Sequence, residues 1–441
     1  MKSKYLIIGM GPAGVAAAEA IRTQDVVGTI TLVTTEPEGF YSRPGLAYAL
    51  TGEIPEKQLF PVPSSHFKAL NVQVITAKAI GINPQAKAVA FPNGNHIQYD
   101  KCLIATGASA RPLTIPGHDI PGVVKLDNIR DLRNILQYAK KGKTAVVVGG
   151  GITALEIVEG LAARGVKTHY FLRRDRYWSS VLDSTESQLV TQRLEDEGIR
   201  IHTYTEIDKI IGKQKGVFRK EMTVGAVRTN HGKVIRCDFV GVAVGVQPNL
   251  ALAQNADVKI ERGVLVDTYM RTSKPDLYAA GDIVQVHDPL TGKTSLDILW
   301  PVARDQGRIA GLNMAGKKIA YIKEAPMNVT RLAGLTTTII GQVSTHTPDA
   351  DVVGIVRGDS ETWHEIPDAI AAQTGFDVNR IRLMISRNRI IGAIVMGDQS
   401  LSSLIQRLVV EKANIAPIRE ALVGEDPDLY QILPRATTLL S

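Results

Sequence analysis

Cysteine is nearly absent from this chain of 441 residues, which contains only Cys102 and Cys237. The two lie far apart in the sequence, each inside an apolar stretch, so they do not form a disulfide framework. The nine histidines are scattered and show no His-Glu-x-x-His spacing. We therefore expect inert cysteines and no metal site.

Long hydrophobic runs are also missing, since no apolar stretch approaches the roughly 18–20 residues that span a bilayer. The first apolar run follows Lys2 and Lys4 and is too short for the hydrophobic part of a signal peptide. We therefore expect a cytoplasmic protein with no integral membrane association. The net charge of +7 is compatible with a solvated surface or with an anionic partner, and no nucleic acid partner is expected.

The composition is that of a globular protein, with 44% hydrophobic and 22% charged residues. The chain is long enough for two or three domains. It begins with an apolar strand, a glycine-rich turn and a helix, Tyr5-Leu-Ile-Ile-Gly9-Met-Gly11-Pro-Ala-Gly14. In this pattern Gly9 makes the tight turn, Gly11 lets the backbone approach a pyrophosphate, and Gly14 allows close helix packing. The helix start offers free N–H groups to phosphates.

A second strand, Thr29 to Val33, ends near Glu36, where an acid accepts hydrogen bonds from an adenosine ribose. The segment therefore predicts a dinucleotide site formed by Gly9, Gly11, Pro12, Ala13, Gly14 and Glu36.

The same pattern returns at residues 144–156, again as a strand, a glycine turn and a helix, with Ala154 in place of the third glycine. A glycine loop without a ligand is a poor explanation for two such segments in one chain. One dinucleotide on each turn is simpler, and the second set comprises Gly149, Gly151, Ile152, Thr153 and Glu156.

With these two turns the sequence resembles the FAD- and NAD(P)H-dependent pyridine nucleotide-disulfide oxidoreductases. Three further stretches match in the expected order. They contain Ala105-Thr106-Gly107, Gly245 in the return crossing, and Gly281-Asp282, whose aspartate would meet the flavin ribityl chain.

The resemblance implies an α/β fold with two Rossmann-like dinucleotide-binding domains, the second inserted in the first. It covers about residues 1 to 320. The implied FAD-binding domain comprises residues 1–112 and 250–320, and the NAD(P)H-binding domain residues 113–249. A C-terminal α+β domain of residues 326–441, which in such proteins often makes a homodimer, follows.

Within this superfamily, residues 40–46 resemble the ferredoxin and rubredoxin reductase branch and the flavin part of NADH-dependent nitrite reductases. Ser42 and Arg43 stand where the disulfide reductases carry a cysteine pair and the coenzyme A disulfide reductases a single cysteine. The resemblance therefore implies that the flavin does all the redox work and passes electrons to a small acidic ferredoxin or rubredoxin. An NAD(P)H oxidase or quinone reductase is the alternative, and a scaffold with a structural flavin is a third.

Three residues are catalytic candidates, each with a structural alternative. Arg43 is placed near the flavin or its pyrophosphate, or in a surface turn. Glu156 contacts the nicotinamide carboxamide, or its negative charge merely stabilises the N-terminus of the second helix. Trp300, just before the helix that starts under the flavin pyrimidine, covers the ring or belongs to the core. Tyr48 replaces the lysine that tends to pair with the glutamate in this branch.

The strand Thr168 to Leu172 runs into Arg173 and Arg174, where an acid would select NADH. Arginines instead offer charge-assisted hydrogen bonds to the 2′-phosphate of NADPH. NADPH is therefore favoured, with NADH the alternative if Asp175 takes the ribose.

The C-terminal part is predicted to contain short strands, a hairpin loop at Arg387-Asn388-Arg389, and a helix whose apolar face packs in the core or lies on a membrane surface. A polar and aromatic segment, Asp359 to Glu365, is expected to line the site or a dimer contact. The predicted strands are Val329 to Ile340, Val352 to Val356, Ile381 to Ile385 and Ile390 to Val395, and the helix runs from Leu401 to Val410.

Overall fold

The computed structural model describes residues 2–215, 221–344, 355–365, 367–376, 379–425 and 427–440. Its architecture is the predicted α/β fold, built on two mainly parallel sheets, with a separate antiparallel sheet near the C-terminus.

The first sheet is formed before and after the second one along the chain. Its central strand β1 (Lys2–Ile8) pairs in parallel with β2 (Ile30–Thr34) and β6 (His96–Ile104), and β18 (Leu277–Ala279) returns to pair in parallel with β6. Up to the first crossing the elements are β1 (Lys2–Ile8), α1 (Pro12–Gln24), β2 (Ile30–Thr34), α2 (Gly45–Thr51), a 3-10 turn (Glu56–Leu59), α3 (Ser64–Ala69), β3 (Val72–Thr76), β4 (Gly81–Asn83), β5 (Ala88–Ala90), β6 (His96–Ile104) and β7 (Ala108–Ala110).

The second sheet has the strand order β11-β10-β9-β15-β8, and an antiparallel three-stranded sheet, β12-β13-β14, lies beside it. This part contains β8 (Val123–Val124), α4 (Ile129–Tyr138), β9 (Thr144–Val148), α5 (Ile152–Ala163), β10 (Lys167–Phe171), α6 (Ser184–Asp196), β11 (Arg200–His202), β12 (Ile207–Lys215), β13 (Glu221–Thr229), β14 (Val234–Arg236), β15 (Phe239–Val242) and β16 (Val246–Pro248).

The chain crosses between the two sheets on a two-stranded antiparallel ribbon, in which β16 pairs with β7. The return leads through α7 (Ala251–Asn255), β17 (Val264–Leu265), β18 (Leu277–Ala279), β19 (Val284–His287), β20 (Thr294–Leu296) and α8 (Trp300–Met314).

Helix α8 lies directly against α1, and small residues allow this contact. A Cβ atom on Gly307 would overlap the carbonyl oxygen of Ala13, and one on Gly311 would overlap that of Ala17. Because the two backbones touch, the start of α8 is fixed beside the first glycine turn.

The C-terminal part forms a five-stranded antiparallel sheet in the order β21-β22-β25-β24-β23, covered by helices. The helix predicted from Leu401 is α10 (Ser402–Val410). Leu401, Ile405 and Leu408 are buried in a hydrophobic core, which is the first of the two placements predicted for its apolar face. The elements are β21 (Met327–Leu332), β22 (Leu335–Gly341), α9 (Glu361–His364), β23 (Ile370–Phe376), β24 (Asn379–Ser386), β25 (Arg389–Met396), α10 (Ser402–Val410), α11 (Ala416–Leu422), α12 (Leu429–Ile432) and a 3-10 turn (Leu433–Leu439).

Two predicted strands of this part need correction. The strand from Val329 to Ile340 is a hairpin, because Ala333 and Gly334 both have positive φ and reverse the chain. Of the strand predicted from Val352 to Val356, residues 352–354 lie outside the described residues, and Ile355 and Val356 are not in a strand. The predicted hairpin turn between Ser386 and Arg389 is present.

Candidate active site

One cavity of about 1960 Å3 extends along the ends of both parallel sheets. It is lined by both glycine turns, by the ribbon that joins the two sheets, by the start of α8 and by the segment 355–359 of the C-terminal part. Two dinucleotide turns therefore open into the same space.

The first turn has the geometry that its glycines predict. Gly9 has φ +118°, and a Cβ atom there would overlap the carbonyl oxygen of Ala105. A Cβ atom on Gly14 would overlap the carbonyl oxygen of Gly9, whereas one on Gly11 would have no neighbour within 4 Å. Gly9 and Gly14 are thus required for packing, while the backbone at Gly11 faces open space.

The second turn repeats this arrangement. Gly149 has φ +143°, and a Cβ atom there would overlap the carbonyl oxygen of Ala243. A Cβ atom on Gly151 would lie 2.8 Å from Cγ2 of Val356, so the C-terminal part forms one wall of this turn.

The residues present fit two nucleotide pyrophosphates. Helices α1 and α5 both begin after a glycine whose position carries no side-chain cap, so their first N–H groups remain for an anion. Thr153 lines the cavity at the second helix, and its hydroxyl is buried without a hydrogen-bond partner in the structure. A bound phosphate would satisfy such a group.

At the first site Glu36 and Arg43 form an ion pair, with Nη2 of Arg43 2.8 Å from the glutamate. The Nη1 atom of Arg43 also donates to the backbone carbonyl of Asp127 at 2.6 Å. Arg43 is therefore a residue of the cavity wall and not a free surface arginine. Asp127 was not identified from the sequence, because no motif marks its position.

Asp282 also lines the cavity, as predicted. Burial raises the pKa of its carboxyl, and Arg357 and Arg43 oppose this shift. Arg357 is a second residue that sequence reasoning missed, since it comes from the C-terminal part, which matches no motif of the site.

Glu156 lines the cavity on the second helix. Burial raises the pKa of its carboxyl to about 7, and the charge of Arg357 opposes this. Tyr48 lines the same cavity, and its ring lies 5.2 Å below the guanidinium of Arg331. The position of the usual lysine thus holds an aromatic ring, and Arg357 of the C-terminal part lies near enough to Glu156 to act on its pKa.

Trp300 is the first residue of α8 and does not precede it, which corrects the predicted helix start. Its ring lies 5.7 Å from that of Phe40, and its side chain both lines the cavity and packs against the first core. Trp300 therefore belongs partly to the core and partly to the cavity wall, and its contact with the flavin ring stays a prediction.

Arg173 and Arg174 line the cavity beyond the end of β10. Asp175 is not among the lining residues, and it forms an ion pair with Arg176 at 2.5 Å. Glu206 lines the cavity and was not identified from the sequence. The structure thus brings the two arginines, rather than Asp175, to the second site.

The predicted site residues divide into those that line the cavity and those that do not. Five of them do not line the large cavity: Ala13, Gly14, Ala105, Gly245 and Gly281. The predicted residues that do line it are Gly9, Gly11, Pro12, Glu36, Arg43, Thr106, Gly107, Gly149, Gly151, Ile152, Thr153, Glu156, Arg173, Arg174, Asp282 and Trp300.

Both cysteines are buried and free, and neither lines the cavity. Cys102 lies in β6, and burial raises the pKa of its thiol far above the usual range. Cys237 follows β14, and burial raises the pKa of its thiol to about 12. Neither thiol is activated for thiolate chemistry.

Comparison with known proteins agrees with this geometry. The family model described as pyridine nucleotide-disulphide oxidoreductase matches residues 3–307. The chain belongs to this family. FAD and NAD(P)H, the cofactors that the resemblance implied, and the predicted enzyme class, an NAD(P)H-dependent flavin oxidoreductase, are confirmed.

Individual relatives of this oxidoreductase differ in their acceptors. An NADH oxidase of Methanocaldococcus jannaschii is 32% identical over 75% of this chain and 74% of its own. An NADH-rubredoxin oxidoreductase of Clostridium acetobutylicum is 27% identical over 93% of this chain and 95% of its own. The crystal structure of a covalent putidaredoxin reductase–putidaredoxin complex matches with TM-score 0.84 and 20% identity, covering 99% of both chains, which shows the shared fold.

Within the described residues, no helix of this oxidoreductase is long and apolar enough to cross a membrane.

Proposed function

We propose that this oxidoreductase takes a hydride from NAD(P)H and passes the electrons through FAD to a small carrier protein of the ferredoxin or rubredoxin type. When bound, FAD supplies the conversion of a two-electron hydride into electrons that leave singly. The observation that carries the proposal is that both dinucleotide turns open into one cavity on which no cysteine lies.

The first site is assigned to FAD and the second to NAD(P)H. Glu36 would accept hydrogen bonds from the adenosine ribose and Asp282 from the ribityl chain. At the second turn, Thr153 and the start of α5 would hold the nicotinamide dinucleotide.

Glu156 and the backbone at the start of α8 have chemical roles in this proposal. Glu156 would hold the nicotinamide carboxamide. The first N–H groups of α8, beside Trp300, would stabilise the negative charge that reduction places on the flavin pyrimidine edge.

The proposal of a ferredoxin or rubredoxin as the electron acceptor is supported by the relatives that are rubredoxin reductases. It is also supported by the fact that neither cysteine lines the cavity. The formal charge of +7 suits a small acidic carrier, because opposite net charge raises the rate of encounter.

A second candidate is an NAD(P)H oxidase, which the relationship to the M. jannaschii NADH oxidase favours. One titration distinguishes the oxidase from the reductase of a carrier protein. The flavoprotein is reduced with NADPH without oxygen, and its reoxidation is then followed at the flavin absorbance with air, with ferredoxin or with rubredoxin. We expect reoxidation by a carrier to be much faster than by air, and the reverse order would assign the oxidase.

We also propose a domain organisation, an oligomeric state and a cellular location for this oxidoreductase. We assign residues 1–112 and 250–320 to FAD binding, 113–249 to NAD(P)H binding and 326–441 to a C-terminal domain that forms a homodimer. The return of β18 to the sheet of β1 supports the first two assignments. Buried, free cysteines suit the reducing cytoplasm. Light scattering of the purified protein tests the dimer.

A further inference from the structure

The segment 355–359 belongs to the C-terminal part but is anchored inside the cavity. The backbone N–H of Val246 donates to the carbonyl of Ile355 at 3.0 Å. On the other side, the N–H of Gly358 donates to Ile298, and the N–H of Ile298 donates to Asp359, each at 2.9 Å. These backbone hydrogen bonds on both sides of Arg357 hold the main chain that carries its side chain.

Arg357 contacts groups of the first nucleotide site, and its charge also acts on Glu156 of the second site. Its Nη2 atom donates to Oδ1 of Asp127 at 2.5 Å and to the carbonyl of Ala108 at 3.4 Å. Its Nη1 atom lies 3.9 Å from the carboxylate of Asp282. The side chain is 19% exposed and lines the cavity, so it is accessible to a ligand there.

These contacts continue a row of charged groups along the cavity. Glu36 contacts Arg43, Arg43 contacts the backbone of Asp127, and the side chain of Asp127 contacts Arg357, which lies next to Asp282. Acids and arginines therefore alternate along the row, with Glu36 and Asp282 at its ends and Asp127 between Arg43 and Arg357.

The covalent order of FAD follows the same row. Its adenosine ribose, assigned to Glu36, is joined through a pyrophosphate to the ribityl chain, assigned to Asp282. The pyrophosphate must therefore lie between these acids, where the two guanidinium groups are found. Guanidinium groups are the preferred side-chain donors to phosphate oxygens.

We propose that Arg357 binds the FAD pyrophosphate together with Arg43, so that the C-terminal part completes the flavin site. This inference rests on the proposed function, because it uses the assignment of FAD to the first turn. Asp127 is then a positioning residue that holds the guanidinium in place.

The test measures FAD binding to the full-length protein after its flavin has been removed. Arg357→Gln should weaken FAD binding by about 10- to 100-fold, the effect of losing one charge-assisted hydrogen bond to a phosphate. Arg357→Lys, which keeps the charge but not the fork, should weaken it less. Arg389→Gln, at an exposed arginine of the C-terminal hairpin, is the matched control and should leave the dissociation constant unchanged.

A second measurement distinguishes phosphate binding from a general loss of packing. At saturating FAD, the 31P resonances of the bound pyrophosphate should shift in both Arg357 variants and not in Arg389→Gln. Unchanged resonances, or unchanged FAD affinity in Arg357→Gln, would overturn the inference while leaving the proposed function intact. If Arg357→Gln does not fold, the resonances of Arg357→Lys decide. Failure of the native protein to bind FAD would instead refute the proposed function.

Discussion

Replacing Arg173 by glutamate and Arg174 by alanine tests which pyridine nucleotide the second site prefers. Both arginines line the cavity just past β10, where the ribose 2′ position is expected, and Arg174 is half-buried while Arg173 is exposed. A charge-assisted contact with a 2′-phosphate contributes about 1.5–3 kcal/mol, the lower end for an exposed side chain. Since 1.4 kcal/mol is about a factor of ten, we expect NADPH to be preferred by about 10- to 100-fold in kcat/KM.

The double substitution should reverse this preference. The new glutamate would repel a 2′-phosphate and accept hydrogen bonds from the free ribose hydroxyls of NADH. Because the 2′ group is remote from the transferred hydride, it contributes equally to substrate and transition-state binding. We therefore expect the change mainly in KM, with kcat nearly constant.

The assay is initial-rate reduction of an artificial acceptor with each nucleotide at the same ionic strength. Arg200→Glu, at an exposed arginine of the neighbouring β11 that does not line the cavity, controls for a general change in charge. The reasoning is refuted if the native protein uses NADH as well as NADPH and the double variant changes neither. Asp175 or Glu206 would then be the ribose contact.

Three further predictions follow from the same structure. Gly11→Val places a side chain where the backbone faces open space, so the variant should fold but lose FAD, and full flavin absorbance after purification would contradict the site. Changing Cys102 and Cys237 to serine should leave NAD(P)H oxidation within about twofold, and a loss above tenfold would indicate thiol chemistry. Glu156→Gln should become progressively more stable than the native protein as the pH rises from about 4.5 to 7, because the native pKa of about 7 exceeds the ordinary 4.5 and ionisation of the carboxyl therefore disfavours folding. A difference between the denaturation midpoints of Glu156→Gln and the native protein that is the same at pH 5 and at pH 8 would contradict that pKa shift.

Much of the site could be read from short segments, because a dinucleotide turn is a local structure. The order of strand, glycines and helix around Gly9 and Gly149 already requires a tight turn and a helix start that faces phosphates. The positive φ of both glycines confirms the tight turns, and the starts of α1 and α5 carry no side-chain cap, as the predicted phosphate contact requires. The motif at Gly281-Asp282 was likewise sufficient to place an acid on the cavity wall.

Asp127 and Arg357, by contrast, could not be recognised from the sequence, since neither belongs to a motif. They become part of the site only because the chain crosses between sheets near Ala108 and later returns with the segment 355–359. The hairpin at Ala333 and Gly334 was missed for a related reason, because its flanking residues, apart from Arg331, are apolar or β-branched and resemble one strand.

The sequence by itself therefore determined the family, the two nucleotide turns and the lack of a redox thiol, since each depends on residues within one short segment. Only the tertiary structure decided that Arg173 and Arg174 reach the cavity while Asp175 turns to Arg176. It also decided that Arg357, from the C-terminal part, lies near enough to Glu156 to oppose the rise of its pKa. These contacts join residues that are distant in sequence or that differ only in side-chain direction, and both are set by packing rather than by local pattern.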